Sequence, residues 1–193
     1  MKKLTALFKN NRGFTLIELL VVIGILGILA AALIATIDPF EQLKKADDAK
    51  IKNISVEFQT ANVRYYTSHG AFPWNDTDVS NSNVNCQGVA GSAFPLQLGS
   101  GALLTDCIGT SLISNSLIGD GELKGSFSSN TVDLDKIWLN WSSSDATNLI
   151  VCFSPTSKSQ KAASDTKYDN KGTAITGCPS ALALDGVCFW CTR

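Results

Sequence analysis

The sequence predicts an α+β fold. A long N-terminal helix, with a membrane half and an amphipathic half, packs on a small antiparallel β-sheet with long loops and disulfides. Three observations predict it. Residues Leu19 to Ile37 carry no charge. Residues 38–69 then interleave apolar and charged side chains at a helical period. Beyond residue 70, short alternating runs are separated by stretches rich in Asn, Ser and Gly, and every cysteine lies in this part. A helix set against one face of a small antiparallel sheet is one of the few stable layered arrangements.

The first thirteen residues carry Lys2, Lys3, Lys9 and Arg12 and no acid. As a helix, the uncharged run is ~28 Å long at ~1.5 Å per residue, enough to cross a hydrocarbon core of about 30 Å. The basic start holds the N-terminus on the cytoplasmic side and sends the rest outward. An ordinary secretory signal is the alternative, with Ala30, Ala31 and Ala32 as a cleavage site. Against it, the run exceeds the usual apolar core of such signals, and Glu18 interrupts its start. A carboxylate at membrane depth costs about 2.5–3.5 kcal/mol on insertion scales, so Glu18 either snorkels to the interface or has a partner. Gly27, Ala31 and Ala35 share a helical face on which another helix can approach closely. General enrichment of small residues in membrane helices explains them equally well.

The second half of the helix has Asp38 as cap and Pro39 in its first turn. Its apolar stripe is Phe40, Leu43, Ile51, Ile54, Phe58, Ala61 and Tyr65, broken at Asp47, and Gly70 stops it. Residues 75–130 read as a long decorated loop with one short helix. Lys136 to Trp141 alternates as a strand, Ser142 to Thr147 connects a hairpin, Asn148 to Phe153 is its second strand, and Gly186 to Thr192 supplies a last one.

Cys86, Cys107, Cys152, Cys178, Cys188 and Cys191 imply disulfides in an oxidising compartment. We take Cys86 to pair with Cys107, and the other four to tie down the C-terminal region; spacing alone leaves other pairings open. Cys188-Phe189-Trp190-Cys191 has the spacing of a redox pair but lacks a following helix to lower a thiol pKa. Zinc would need further ligands from isolated cysteines or from His69. Asp165, Asp169 and Asn170, before Gly172, form an oxygen-rich loop that is either a weak calcium site or simply solvated. Gly99-Ser100-Gly101 and Gly119-Asp120-Gly121 lack the Lys and Ser/Thr of a phosphate loop. Asn53-Ile54-Ser55, Asn75-Asp76-Thr77 and Asn140-Trp141-Ser142 fit a glycosylation pattern common by chance.

The formal net charge is −1, and loss of the four leader cations brings it to −5. No basic cluster then remains for direct nucleic-acid binding. No catalytic set stands out, and His69 reads as a helix-end residue, so an enzyme is not expected.

Arg12-Gly13-Phe14-Thr15-Leu16-Ile17-Glu18, followed by the apolar run, resembles the class III signal of type IV pilins and type II secretion pseudopilins. Tyr65 to Pro73 also resembles the end of their long helix. The resemblance implies cleavage by a prepilin peptidase between Gly13 and Phe14, with N-methylation of Phe14. It implies that Glu18 pairs with the Phe14 amine of a neighbouring subunit during assembly. It implies a leader at 1–13, a transmembrane and assembly helix at 14–37, an amphipathic helix at 38–69 and a globular outer domain at 70–193. The partners implied are further copies in a helical homopolymer, the peptidase, the membrane, and pilus or secretion machinery. The precursor would sit in the cytoplasmic membrane with its N-terminus inside, and the assembled filament at the cell surface. Major pseudopilins can carry calcium in a C-terminal loop, the one cofactor left open. Many pilins place a proline where this chain has Ala35. A pilin is favoured over a pseudopilin because of the elaborated, cysteine-rich outer part. A secreted or membrane-anchored binding domain without assembly is the rival.

Overall fold

A computed structural model describes residues 13–36, 38–76, 84–87, 89, 94–99, 101, 103–142 and 145–192. Lys2, Lys3, Lys9 and Arg12 of the leader, Ile37, Thr77 and Ser100 lie outside the described residues. The chain divides into two compact units, the first ending at Phe40 and the second starting at Glu41.

The first unit is dominated by helix α1, Leu16–Thr36. Its stretch Leu16–Ile34 is long and apolar enough to cross a membrane, and none of it is buried within the chain. Helix α2, Pro39–His69, starts where Asp38 accepts a hydrogen bond from the Phe40 N–H at 3.1 Å. It stops at Gly70, whose φ of 74° suits a residue without Cβ and whose N–H donates to the Tyr66 carbonyl at 2.8 Å.

The buried stripe of α2 differs from the one expected. It runs through Asp48, Ile51, Ser55, Phe58, Ala61, Asn62 and Tyr65. Phe40 and Leu43 are instead 74% and 68% exposed. The stripe is not broken at Asp47, which pairs with Lys136 at 2.9 Å; it passes through Asp48. A hydropathy pattern cannot reveal such a position, because a carboxylate enters a core only when donors meet it there. Here they do. Oδ1 of Asp48 accepts from the Thr156 N–H at 2.9 Å and its hydroxyl at 3.1 Å. Oδ2 accepts from the Ser157 N–H at 2.9 Å and its hydroxyl at 2.6 Å.

The sheet is antiparallel in the order β1 (Leu96–Gln97), β2 (Ile137–Ser142), β3 (Asp145–Phe153), β4 (Trp190–Cys191). Strand alternation gives it two faces. Ile137, Leu139 and Trp141, with Leu149, Val151, Phe153 and Trp190, join the core that includes Ile51, Phe58 and Tyr65 of α2. The other face carries a smaller cluster of Cys152, Phe189 and Cys191, covered by Trp138, Ile150 and Tyr168. The hairpin connection is shorter than expected: β3 already starts at Asp145, and a register shift follows Trp141. A bulge places an extra residue in one strand, so counting alternations across it misplaces the turn.

The segment 75–130 is not mere decoration. It contains α3 (Val84–Gln87), β1, a π-helical turn Leu103–Ile108 and a 3-10 turn Phe127–Ser129, followed by α4 (Thr131–Leu134). Trp74, just before it, and Leu98, Leu103, Ile108, Leu117 and Leu123 within it are all buried in the main core. Backbone bonds from Leu117 to Cys107 and from Ile118 to Ile108, each 3.0 Å, fold this region on itself. Its buried residues are spaced by loop geometry rather than by a helix or strand period, which hides them from a periodicity search.

Candidate assembly site

The N-terminal end of α1 brings together Gly13, Phe14 and Glu18. Gly13 is exposed, with nothing within 4 Å of where a Cβ would stand. Phe14 is 85% exposed. An open apolar hollow of about 340 Å³ is lined by Phe14, Ile17, Glu18, Val21 and Val22.

Thr15 and Glu18 form a reciprocal cap. The Thr15 N–H donates to Glu18 Oε2 at 2.8 Å, the Thr15 hydroxyl donates to the same oxygen at 2.9 Å, and the Glu18 N–H reaches the Thr15 hydroxyl oxygen at 3.3 Å. A threonine followed three residues later by a glutamate at a helix start satisfies two orphan N–H groups. Glu18, expected to act in assembly, thus also has a local role as a cap. The signal was present as Thr15-Leu16-Ile17-Glu18 before an apolar run. The cap leaves the carboxylate within the first helical turn, where the helix dipole favours a negative charge.

Residues 8–34 match the family described as the prokaryotic N-terminal methylation motif. The chain carries a prokaryotic N-terminal methylation motif. This pilin-like chain is similar to a fimbrial protein of Neisseria meningitidis serogroup B, 36% identical over 69 residues, covering 36% of this chain and 39% of that protein. It is likewise 36% identical over 69 residues to a type IV major pilin protein of Neisseria gonorrhoeae, covering 36% of this chain and 41% of the relative. A fimbrial protein of Neisseria meningitidis serogroup A is 35% identical over the same length. The chain thus spans about two fifths of the length of the curated relatives it matches. No solved structure matches it significantly.

The remaining candidates of the pilin-like chain fall in its second unit. Three disulfides join Cys86 to Cys107, Cys152 to Cys191 and Cys178 to Cys188. Cys188 and Cys191 therefore belong to different bridges. The first bridge fastens α3 to the π-helical turn, and the second links neighbouring strands β3 and β4. The third closes a loop of residues 178–188.

The calcium candidates have other work. Asp165 Oδ2 accepts from Trp190 Nε1 at 2.9 Å and pairs with Lys52 at 3.3 Å, while the Lys52 ammonium lies 4.5 Å from the Trp190 ring centroid. Asp169 Oδ1 accepts from the N–H groups of Lys171 and Thr173, closing a turn around Asn170. Among the described residues, no three His, Cys, Asp or Glu side chains gather to hold a metal. In this structure Asp165 serves an ion pair and an indole, and Asp169 a turn.

His69 stacks on Tyr65 with ring centroids 4.0 Å apart, and its Nε2 lies 3.6 Å from Asp120 Oδ2. The buried Tyr65 hydroxyl donates to Asp76 at 3.3 Å. Burial, then the charges of Asp76 and Asp120, push that phenol well above its usual range. These contacts fasten the end of α2 to the segments after it.

Proposed function

We propose that the chain is a structural subunit of a type IV pilus-like filament. One observation carries the reading: a methylation motif spanning residues 8–34 coincides with an apolar helix whose stretch Leu16–Ile34 is bare in the single chain. Burying ~25 cal/mol per Å² of apolar surface is favourable, so such a helix outside lipid must be covered by other copies. In this reading the leader 1–13 is removed by a prepilin peptidase, Phe14 becomes the methylated first residue, and residues 14–37 wait in the membrane with the N-terminal side inside. Helix 38–69 and the outer domain 70–193 face outward, where an oxidising compartment allows the disulfides.

Glu18 acts at the assembly step. Its carboxylate exchanges the local cap of Thr15 for the positive amine of Phe14 on a neighbouring subunit. Opposite charges attract strongly in a low-dielectric bundle, and pairing offsets the desolvation of each. A pilus is favoured over a secretion pseudopilus by the elaborated outer unit and by the similarity to fimbrial proteins and major pilins. The test is N-terminal sequencing of the mature protein together with imaging of fibres from cells with and without it. Methylated Phe14 and chain-dependent fibres are expected. An intact Met1, or a start near Ala35, would overturn the reading in favour of an anchored or secreted domain.

A further inference from the structure

We propose that the amine of Lys50 and the side-chain amide of Asn130 join in an isopeptide bond, with Asp133 as the proton relay, so that α2 becomes covalently fixed to the start of α4. The bond forms within one copy and needs no assembly, so it stands apart from the filament reading.

Three side chains meet on one carboxylate. The Lys50 ammonium of α2 pairs with Asp133 Oδ2 at 2.5 Å. The Asn130 amide nitrogen donates to that same oxygen. Two nitrogens bonded to one oxygen lie no more than about 6 Å apart. Asp133 is buried, while the Lys50 side chain is 54% exposed and has room to turn. A rotation of that long side chain brings its nitrogen toward Cγ of Asn130, where a reacting pair needs ~3–3.5 Å.

Asn130 is oriented for this contact rather than for its usual one. It is the N-cap of α4, and its carbonyl oxygen accepts from the N–H groups of Asp133 and Leu134 at 3.2 Å each. A capping asparagine ordinarily also accepts an N–H of the first turn with its side chain. Asn130 makes no such bond, and its amide is turned to Asp133 instead. The backbone thus holds the amide in place.

The walls of the site are apolar. Ile51, Phe127 and Leu134, neighbours of the three residues, are buried. Water exclusion of this kind protects a reacting centre from hydrolysis. An open hollow of about 240 Å³, lined in part by Asn130, gives ammonia a way out. The other charged groups nearby are Lys136, 3.7 Å from Asp133 Oδ1 and paired with Asp47, and Glu57 and Lys124 on the hollow.

The step needs no oxidant or cofactor. Asp133 takes a proton from the Lys50 ammonium, and the freed lone pair attacks Cγ of Asn130. The new C–N bond forms as the carbonyl electron pair moves to Oδ1. Asp133 returns its proton to Nδ2, the carbonyl re-forms, and the Cγ–Nδ2 bond breaks. Ammonia departs with one further proton from Nζ, as ammonium, and Asp133 ends as a carboxylate. The structure shows the residues before the bond forms. The ion pair keeps the reacting form a minority, so the bond closes slowly and once per molecule.

All six cysteines are in bridges, and none of the bridges involves a residue of α2. The isopeptide bond gives that helix the covalent attachment the disulfides give the rest of the unit.

The test is peptide mapping by mass spectrometry of the full chain, purified in detergent, sampled fresh and after incubation at pH 7, then reduced and alkylated. A pair of peptides joined through Lys50 and Asn130 is expected, lighter by one ammonia, about 17 Da, than the two together. No joined pair after prolonged incubation overturns the bond. So does a loss of ammonia within a single peptide, the mark of asparagine cyclisation. Lys50→Arg keeps the ion pair and, like Asn130→Ala, is expected to abolish the joined pair; its persistence overturns the assignment. Proton relays contribute ~10²–10⁴-fold, so Asp133→Asn, checked for its three disulfides, is expected to slow joining at least about a hundredfold. Because the relay passes the proton within the pair, the wild-type rate is expected to stay flat between about pH 6 and 9. A rise of about tenfold per pH unit, the mark of an amine deprotonated by solvent, overturns the role of Asp133 and needs no variant to fold. None of these outcomes bears on the filament reading.

Discussion

Asp48→Ala is expected to be the most damaging single substitution on α2 that deletes no apolar side chain. Asp48 is 2% exposed, and its two oxygens accept four hydrogen bonds from Thr156 and Ser157. Hydrogen bonds to a charged group contribute roughly 1.5–3 kcal/mol each, and a buried donor left unmatched costs about 1–3 kcal/mol. The four do not add, because they share one carboxylate and two adjacent residues. The two hydroxyls can turn to other acceptors, which leaves the two backbone N–H groups as the irreducible loss. That gives ~3–5 kcal/mol, the range for breaking a buried charged partnership. Asp48→Asn is expected to fare little better. Its amide replaces one acceptor oxygen with a donor, which then faces the N–H and hydroxyl of Thr156 or Ser157. The assay is urea unfolding of the detergent-solubilised chain with its disulfides intact, followed by tryptophan fluorescence. A loss below ~1 kcal/mol for both variants, the scale of a single ordinary hydrogen bond, would refute the reasoning.

Glu18→Ala should leave an inserted and processed protein that yields few filaments; a normal yield would sink the assembly role. Substituting Gly13 with a bulky residue should block cleavage, seen by mass spectrometry as a product larger by the leader of about thirteen residues, because a protease needs close access to the backbone there. Replacing both Cys152 and Cys191 with serine opens a bridge with a sequence separation of 39 and should cost about 2–5 kcal/mol in the same unfolding assay. Burial raises the Asp133 pKa, but the hydrogen bond and charge of Lys50, with help from Asn130 and Lys136, bring it below its ordinary value. A depressed carboxylate contributes stability above its unfolded pKa and loses it as pH falls through the folded one. Comparing unfolding midpoints at pH 7 and below pH ~4 should therefore show a smaller acid loss in Asp133→Asn than in the wild type. Equal losses would refute it.

Much of the fold is legible from composition, end-capping residues and periodicity. The bare helix follows from an uncharged run, the cap at Asp38 and the stop at Gly70 from their residue types, and the strand from the alternation of Ile137, Leu139 and Trp141. The failures share a cause. Phe40 and Leu43 were assigned to the buried face because they are apolar, and Asp48 was not because it is charged. Burial there is decided by what the 154–157 turn brings to the helix, a contact more than a hundred residues away in sequence. The core residues of 103–123 were invisible because loops impose no period. The candidate site divides similarly. Gly13, Phe14 and Glu18 stand out within seven consecutive residues, and even the missed cap is a local pattern.

The amino-acid sequence by itself determined the apolar helix, its lone carboxylate and the family signature, because these depend on interactions within a turn or two of helix. Tertiary structure alone decided how the last four cysteines pair, which acid is buried, and that Leu182 and Leu184 are held out to solvent. Each of those outcomes depends on partners distant in the chain, whose proximity exists only after the sheet, the helix and the long central segment have packed together.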